Sequence, residues 1–248
     1  MRLENKVAIV TGGAGKIGKA FSLAMAKEGA KIVISDVMPG DDVVKQVEDS
    51  GGEAMSVLTD VADDTSAQAT IDAAVERFGR IDILVNNAAH FMQVVKGPFW
   101  EIPPDDFDKA MAVNVRGVWL MARAAVPHLI KNPHSKIINL SSGVALAGTP
   151  NYIHYVGSKG AVIAMTRAMA NELGQHQVCV NSLSPGFTKK EGGQEPQDIV
   201  DMENCIGVIH PRIIERKHRR LERMRASCDK DHSRMQFNWC TVPLCNQN

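Results

Sequence analysis

The sequence predicts an α/β fold: a doubly wound parallel sheet between two helical layers, forming a three-layer α/β/α single domain. Two observations support this prediction. Up to about residue 188, short runs rich in valine and isoleucine alternate with longer segments of helical periodicity, which is the pattern of repeated βαβ units. With 248 residues, 44% of them hydrophobic, the chain is also long enough to bury a sizeable core.

Six apolar runs predict strands that helices cover on both faces, as in other parallel sheets. They span residues 7–10, 31–35, 54–57, 81–85, 136–140 and 178–180. Apolar residues at helical spacing predict helices between them, over residues 16–28, 41–48, 66–78, 105–130 and 152–173. Pro103 and Pro104 precede Asp105, which favours a helix start there.

The composition argues against several kinds of partner. Lysine and arginine (28) balance aspartate and glutamate (28), so the net charge gives no reason to expect nucleic acid or an anionic membrane. No run of about 18 uncharged apolar residues occurs, and the N-terminus has no apolar signal core. We therefore expect a cytoplasmic protein. The cysteines lack metal-site spacing, so we expect reduced thiols and no metal; they are Cys179, Cys205, Cys228, Cys240 and Cys245.

A glycine-rich turn joins the first predicted strand to the first predicted helix. Residues 11–18 read Thr-Gly-Gly-Ala-Gly-Lys-Ile-Gly. Glycines permit a tight turn here, and the N–H groups at the helix start can hold a pyrophosphate. The predicted cofactor contacts are Gly12, Gly15, Lys16, Ile17 and Gly18. The alternative is a glycine turn that merely joins strand to helix.

Asp36 directly follows the second predicted strand, 18 residues beyond Gly18. A carboxylate at this position can accept hydrogen bonds from the ribose diol of an adenosine, and it would repel a ribose phosphate. No arginine immediately follows Asp36 to reverse this preference. We therefore predict NAD rather than NADP as the cofactor.

A tyrosine, a lysine and a serine form the candidate catalytic group. Tyr155 and Lys159 are four residues apart, on one face of a predicted helix. A free phenol has a pKa near about 10, and a neighbouring cation lowers that pKa. Ser142 follows the fifth predicted strand, at the sheet edge where α/β proteins bind ligands. Asn87 and Ala88 occupy the same end of the fourth strand.

In this order and spacing, the motifs resemble the short-chain dehydrogenase/reductase family over about residues 6–188. Ser142 stands thirteen residues before Tyr155, as in that family. Further residues of the pattern are Asp60, Val61, Asn86, Asn87, Ala88, Asn114, Asn181, Pro185, Gly186 and Thr188. The resemblance implies a Rossmann-type sheet and hydride transfer between a nicotinamide and an alcohol or carbonyl carbon.

The resemblance also implies a role for each residue. Tyr155 would be the general acid for ketone reduction and the base for alcohol oxidation, while Lys159 would lower its pKa and contact the nicotinamide ribose. Ser142 would bind the reacting oxygen, and Asn114 would hold a water that links Lys159 to solvent. The other implied cofactor contacts are Thr188 at the nicotinamide amide, Asp60 and Val61 at the adenine, and Asn87, Ala88, Pro185 and Gly186.

The chain departs from the family pattern in three places. Lys16 stands where the family turn has its middle glycine, and could either help electrostatically or crowd the backbone. Ala89 replaces another usual glycine, and the family's seventh strand and glycine-rich ending are not recognisable. We therefore divide the chain into a Rossmann-type NAD-binding catalytic domain, 1–190, and an atypical C-terminal region, 191–248. That region is either a divergent tail or the product of a shifted reading frame from roughly residue 210.

These observations predict an NAD-dependent oxidoreductase acting on a secondary alcohol or ketone of modest size. The candidate pocket is mostly apolar and includes Phe91 and Met92, whereas His90 and Tyr152 are not expected to be catalytic. The alternative is a dinucleotide-binding or scaffold protein of the same fold without turnover. A third hypothesis, a nucleic-acid binder, rests only on the basic stretch 212–225. The resemblance implies a homodimer through helices 105–130 and 152–173, and the C-terminal departure argues against a tetramer.

Overall fold

Six parallel strands form one sheet in the computed structural model, which describes residues 1–185. Their spatial order is β3-β2-β1-β4-β5-β6. The strands are β1 (Val7–Thr11), β2 (Lys31–Asp36), β3 (Ala54–Leu58), β4 (Ile83–Asn86), β5 (Lys136–Leu140) and β6 (Cys179–Leu183). All adjacent pairs are parallel, which confirms the predicted fold class. The predicted contacts Gly186 and Thr188, the basic stretch 212–225 and the C-terminal region 191–248 lie outside the described residues.

Seven α-helices accompany these strands in the described part of the chain. They are α1 (Lys16–Lys27), α2 (Asp41–Asp49), α3 (Asp64–Phe78), α4 (Pro104–Met111), α5 (Gly117–Leu129), α6 (Gly143–Ala147) and α7 (Ile153–Leu173). Two short 3₁₀ turns cover Phe99–Glu101 and Gly174–His176. The helix predicted over 105–130 is divided by a π-helical turn, Ala112–Arg116, and the short α6 was not predicted.

Local sequence explains where several helices begin and end. The Asp63 side chain accepts a hydrogen bond from Ser66 N–H at 2.7 Å and caps the start of α3. Gly79, with a φ of 76°, ends that helix in the left-handed conformation that favours glycine. Pro104 is the first residue of α4, where the missing N–H of proline costs no hydrogen bond. The predicted helix start at the proline pair is therefore confirmed.

Two apolar clusters fill the two faces of the sheet. Along β1, Val7 and Ile9 face one cluster while Ala8 and Val10 face the other, as the alternation of a strand requires. The first cluster packs against α3, α5 and α7, and the second against α1 and α2. Because both faces are covered, the ligand-accessible part of the sheet is its edge. The strand order reverses between β1 and β4, which opens a crevice at their carboxyl ends.

None of the helices in residues 1–185 is long and apolar enough to cross a membrane.

Candidate active site

The glycine turn after β1 is too tightly packed for side chains. Gly12 has a φ of 62°, a left-handed conformation that favours glycine. A Cβ on Gly18 would lie 2.1 Å from the Gly12 carbonyl oxygen, and one on Gly12 would lie 2.9 Å from Ala88 Cα. Gly15 is the N-cap of α1. The chain therefore brings bare backbone to the start of a helix, which is the arrangement that binds phosphates.

Lys16 and Ile17 are the first two residues of α1, and both are exposed. Whether Lys16 helps a bound pyrophosphate electrostatically or crowds the backbone there stays a prediction.

Side chains of Asn87 and Thr11 tie the glycine turn to the end of β4. Asn87 Nδ2 donates to the carbonyl oxygens of Thr11 and Gly12, at 2.9 and 3.1 Å. The Thr11 hydroxyl oxygen accepts from the backbone N–H groups of Asn87 and Ala88, both at 3.0 Å. The structure thus places Asn87 and Ala88 beside the turn, and their contact with a cofactor stays a prediction. It also shows a positioning role for Thr11, which the sequence did not distinguish from the rest of the motif.

Asp36 lies at the end of β2, beside the same turn. Its Oδ2 accepts from Ala14 N–H and its Oδ1 from Met38 N–H, each at 3.0 Å. Each carboxylate oxygen can accept a further hydrogen bond. Asp36 therefore has a structural role that its spacing did not reveal, and it retains the acceptors that a ribose diol needs.

The other candidate cofactor contacts follow β3 and β6. Asp60 is exposed, and its Oδ1 accepts from Ala62 N–H at 2.9 Å. Val61 is buried, and a Cβ on Gly117 would lie 2.7 Å from its Cγ2. Pro185 lies two residues beyond the end of β6. All three follow the carboxyl ends of strands, and their contact with a cofactor stays a prediction.

Tyr155, Ser142 and Lys159 converge at the ends of β5 and α7. Tyr155 is 7% exposed, and its phenol is near enough to the Ser142 side chain for that hydroxyl to lower the pKa of Tyr155. Lys159 is 2% exposed; its Nζ lies 5.8 Å from the centre of the Tyr155 ring and donates to the Leu140 carbonyl oxygen at 2.7 Å. Ser142 also caps α6 by accepting from Val144 N–H. The structure therefore brings together three of the four residues for which catalytic roles were expected, the fourth being Asn114.

Burial controls the ionisation of this trio. It raises the pKa of Tyr155, and the Ser142 hydrogen bond only partly opposes that rise. It lowers the pKa of Lys159 to about 8. The resemblance implies that Lys159 lowers the pKa of Tyr155, but in this structure the effect of burial on the phenol is larger. The charge of Lys159 is therefore the more sensitive to pH in the physiological range.

Asn114 is fully buried in the π-helical turn. Its Oδ1 accepts from His90 N–H at 2.7 Å, while its Nδ2 donates to His90 O at 3.2 Å and to Ser158 Oγ at 3.0 Å. Ser158 Oγ in turn donates to the Tyr155 carbonyl oxygen at 2.8 Å. Both N–H groups of the Asn114 amide are thus engaged by protein atoms, and its expected water-binding role stays a prediction.

Aromatic rings line one side of Tyr155. The ring centres of Phe91 and Tyr152 lie 4.6 and 6.2 Å from that of Tyr155, and Phe91 is 39% exposed. His90, which was not expected to be catalytic, lies in the loop after β4 and is buried with its Nε2 3.0 Å from Asp106 Oδ1. Neither Asp106 nor His154 was singled out, because they are far from His90 in the chain and match no motif.

Comparisons with known proteins agree with this geometry. A family model described as short chain dehydrogenase matches residues 6–198. An uncharacterized oxidoreductase of Thermotoga maritima is 39% identical over 194 residues, covering 77% of this chain and 75% of the relative. A 3-oxoacyl-(acyl-carrier-protein) reductase of the same organism is 36% identical over 189 residues, covering 75% and 76%.

A solved structure gives the same result. NAD⁺-bound xylitol dehydrogenase superposes with a TM-score of 0.72 at 34% identity, over 77% of this chain and 73% of that chain. Fold, motifs and sequence similarity therefore coincide over the same three quarters of the chain, which is a member of the short chain dehydrogenase family of oxidoreductases.

Proposed function

We propose that the protein is an NAD-dependent oxidoreductase that transfers a hydride between the cofactor and a secondary alcohol or ketone, with Tyr155 as general acid and base. The observation that carries the proposal is the convergence of three groups: the buried Tyr155 phenol, the Ser142 hydroxyl that acts on its ionisation, and the Lys159 ammonium 5.8 Å from the centre of the same ring. A phenol, a hydroxyl and a cation arranged in this way can exchange a proton with a carbonyl oxygen.

The residues present fit a dinucleotide. The backbone of Gly12, Gly15 and Gly18 would hold the pyrophosphate at the start of α1, where a Cβ at Gly18 would collide with the Gly12 carbonyl oxygen and force the turn open. The free acceptors of Asp36 suit a ribose diol, and its charge disfavours a 2′-phosphate. The NAD⁺ bound to the related xylitol dehydrogenase supports NAD as the cofactor here.

The proposed division of labour follows from the geometry. When bound, NADH supplies the hydride and NAD⁺ accepts it. In the reducing direction Tyr155 donates its phenolic proton to the carbonyl oxygen, and in the oxidising direction its phenolate takes that proton back. Ser142 donates a hydrogen bond to the reacting oxygen and to the phenolate. The Lys159 ammonium stabilises the phenolate, an effect strengthened by burial away from water.

The pocket side of Tyr155 favours a substrate with an apolar body. Phe91 packs against the phenol, and Met92, in the same loop, is 77% exposed. The related reductase and dehydrogenase act on an acyl-carrier-protein substrate and on xylitol, by their names, so the relatives do not select one compound. A panel of aromatic and aliphatic secondary alcohols and ketones covers the proposed class.

The direct test begins with cofactor binding. The purified chain is titrated with NADH and, separately, NADPH, and then assayed against the panel by the absorbance of the reduced nicotinamide. Tighter NADH binding together with turnover supports the proposal. Tight binding without turnover of any alcohol or ketone favours the dinucleotide-binding alternative instead. Failure to bind either cofactor contradicts both.

We also propose a homodimer through α4, α5 and α7. A groove of about 430 Å³ on these helices is lined by Met111, Ala112, Val115, Arg116, Trp119 and Met165. Trp119 is 47% exposed, although it lies in an otherwise well-packed helix. Analytical ultracentrifugation of the wild type and of Trp119→Glu tests this proposal. A monomeric wild type, or a variant that still dimerises, contradicts it.

A further inference from the structure

Two buried histidines flank a half-buried aspartate beside Tyr155, and we call these three residues the His-Asp-His cluster. His90 lies in the loop after β4, Asp106 on α4 and His154 on α7; their side chains are 6%, 12% and 0% exposed. His90 Nε2 is 3.0 Å from Asp106 Oδ1, and His154 Nε2 is 2.9 Å from Oδ2. Within residues 1–185 no group of three such side chains is arranged to hold a metal ion. The cluster therefore needs another explanation.

The cluster joins elements that carry the proposed catalytic residues. His154 immediately precedes Tyr155 in the first turn of α7. Asp106 Oδ2 also accepts from Val95 N–H at 2.8 Å, so the carboxylate holds the loop after β4 at His90 and again at Val95. The Asp106 side chain on α4 thus contacts both the loop after β4 and the first turn of α7, which contains Tyr155.

A second line of hydrogen bonds connects the same loop to Tyr155. The Asn114 amide is bonded to His90 N–H and to its carbonyl oxygen, and also to Ser158 Oγ. Ser158 Oγ donates to the Tyr155 carbonyl oxygen. Displacement of His90 would therefore reach Tyr155 through Asn114 and Ser158, independently of His154.

The charge on Asp106 sets the orientation of both imidazoles. The hydrogen bond from His90 lowers the pKa of Asp106 against the opposing effect of burial, so the carboxylate is ionised at neutral pH. An ionised carboxylate only accepts hydrogen bonds, so each facing Nε2 must carry a hydrogen. His154 Nε2 lies 2.9 Å from Asp106 Oδ2 without hydrogen-bond alignment, so neither buried nitrogen of this ring has a hydrogen-bond partner among the described residues. Burying a polar ring so incompletely satisfied costs free energy, which is typical of functional sites.

We propose that Asp106 is a positioning residue for the proposed reaction. By holding His90 and His154, it fixes the loop after β4 and the first turn of α7, and so sets the place of the Tyr155 phenol relative to Ser142 and Lys159. This inference rests on the proposed function. Precise placement has large kinetic consequences, because a shift of about 1 Å can slow an enzyme about 100-fold.

The test compares two buried carboxylates. Asp106→Asn keeps the shape of the side chain but turns one acceptor into a donor facing another donor. Asp82→Asn is the matched control, because Asp82 is 5% exposed and also accepts from three residues, at the opposite end of the sheet. We expect Asp106→Asn to lower kcat at least about ten-fold, with KM and the NADH dissociation constant within about two-fold. Asp82→Asn should leave kcat unchanged. Equal kcat in the two variants overturns the inference.

A pair of variants at His154 provides an independent test in case the Asp106→Asn protein does not fold. Gln can present an N–H where His154 has Nε2, whereas Leu cannot. We expect His154→Gln to retain kcat within about three-fold and His154→Leu to lose at least about ten-fold. Equal kcat in the two variants would show that only packing matters at this position, and would overturn the inference.

Imidazole ¹⁵N NMR gives a readout that does not depend on turnover. In the wild type, His90 and His154 should carry hydrogen on Nε2, and His90 should lose this preference in Asp106→Asn. A neutral Nδ1–H form of either ring in the wild type overturns the inference even if the enzyme is active. If the rings are as expected but no alcohol or ketone reacts, the proposed function fails and the positioning role falls with it. If the wild type is active and Asp106→Asn resembles Asp82→Asn, only the positioning role fails.

Discussion

The two ends of the sheet each bury one carboxylate, but they use it differently. At the amino end, Asp82 precedes β4 and accepts from the side chains of Lys6 and Arg80 and from Val7 N–H. Two of its three partners are permanent cations, and the backbone contact links it to β1. Asp82 therefore fastens two neighbouring strands with charges that do not change near neutral pH.

At the carboxyl end, the partners of Asp106 are two imidazoles and one backbone N–H. These groups hold a loop and a helix turn rather than strands, and beside them Tyr155 and Ser142 are left to meet a ligand. The difference teaches that buried charge alone does not mark a functional site. What distinguishes the proposed active end is that its carboxylate contacts imidazoles and a backbone N–H rather than Lys and Arg, beside groups that can still form hydrogen bonds.

The largest expected effect on kcat, and so the strongest test of the difference between the two ends of the sheet, comes from a substitution at Tyr155. Tyr155→Phe removes the proton that the proposed reaction needs, so kcat should fall by about 100-fold to 10,000-fold. The dissociation constant for NADH should stay within about three-fold, because the ring and its packing remain. Steady-state rates and calorimetric titration measure both quantities, with Asp82→Asn as the control of unchanged kcat. Comparable rates in the two variants would remove the functional distinction between the two ends.

The pH profile gives the next largest effect. Burial lowers the pKa of Lys159 to about 8, so the ammonium loses its proton as pH rises through that value. The neutral amine cannot stabilise the phenolate left by ketone reduction. The kcat/KM for reduction should therefore be level below about pH 7 and fall about ten-fold per pH unit well above 8. Initial rates at constant ionic strength test this expectation, and the break should persist in Asp82→Asn. A profile without a break near 8 contradicts it.

At the amino end the expected effect is on stability. Burial raises the pKa of Asp82, but hydrogen bonds from Arg80, Val7 and Lys6 lower it further. A carboxyl whose pKa is depressed by folding adds stability above its unfolded pKa of about 3.9, and this stability is lost as pH falls through the folded value. Asp82→Asn should therefore lower the free energy of unfolding by about 1–3 kcal/mol at neutral pH. Urea unfolding should show the gap to wild type narrowing in acid; a widening gap contradicts this account.

The sheet was predictable because its strands are buried on both faces and are therefore nearly continuous apolar runs. All six predicted strands are confirmed, with ends that differ by at most three residues. The division of the fourth predicted helix was not predictable, because the apolar periodicity of residues 105–130 continues through the π-helical turn. Only the three-dimensional structure shows this turn, in which Asn114 forms hydrogen bonds with His90 and Ser158.

The site was predictable where the residues that form it are close together in the sequence. Tyr155 and Lys159 share a helix face, and the structure brings both to Ser142. Contacts between distant segments were missed, because no local pattern records that Asp106 would meet His90 and His154. The effect of burial on the Tyr155 pKa was missed for the same reason, since desolvation depends on the whole surroundings of the ring.

The smallest expected effect concerns Asp36, which combines the two uses of a carboxylate. Like Asp82 it fastens backbone, through Ala14 and Met38 N–H, yet it lies at the ligand-binding edge and retains acceptors. Asp36→Asn removes the charge that would repel a 2′-phosphate. The preference for NADH over NADPH should therefore narrow several-fold, about 1 kcal/mol, as measured by parallel titrations. Asp41→Asn, which removes an exposed charge on α2, is the control. If the affinities for NADH and NADPH fall equally, Asp36 only supports the glycine turn, which is a structural role like that of Asp82. If the preference narrows, one carboxylate both holds the backbone and selects the ligand.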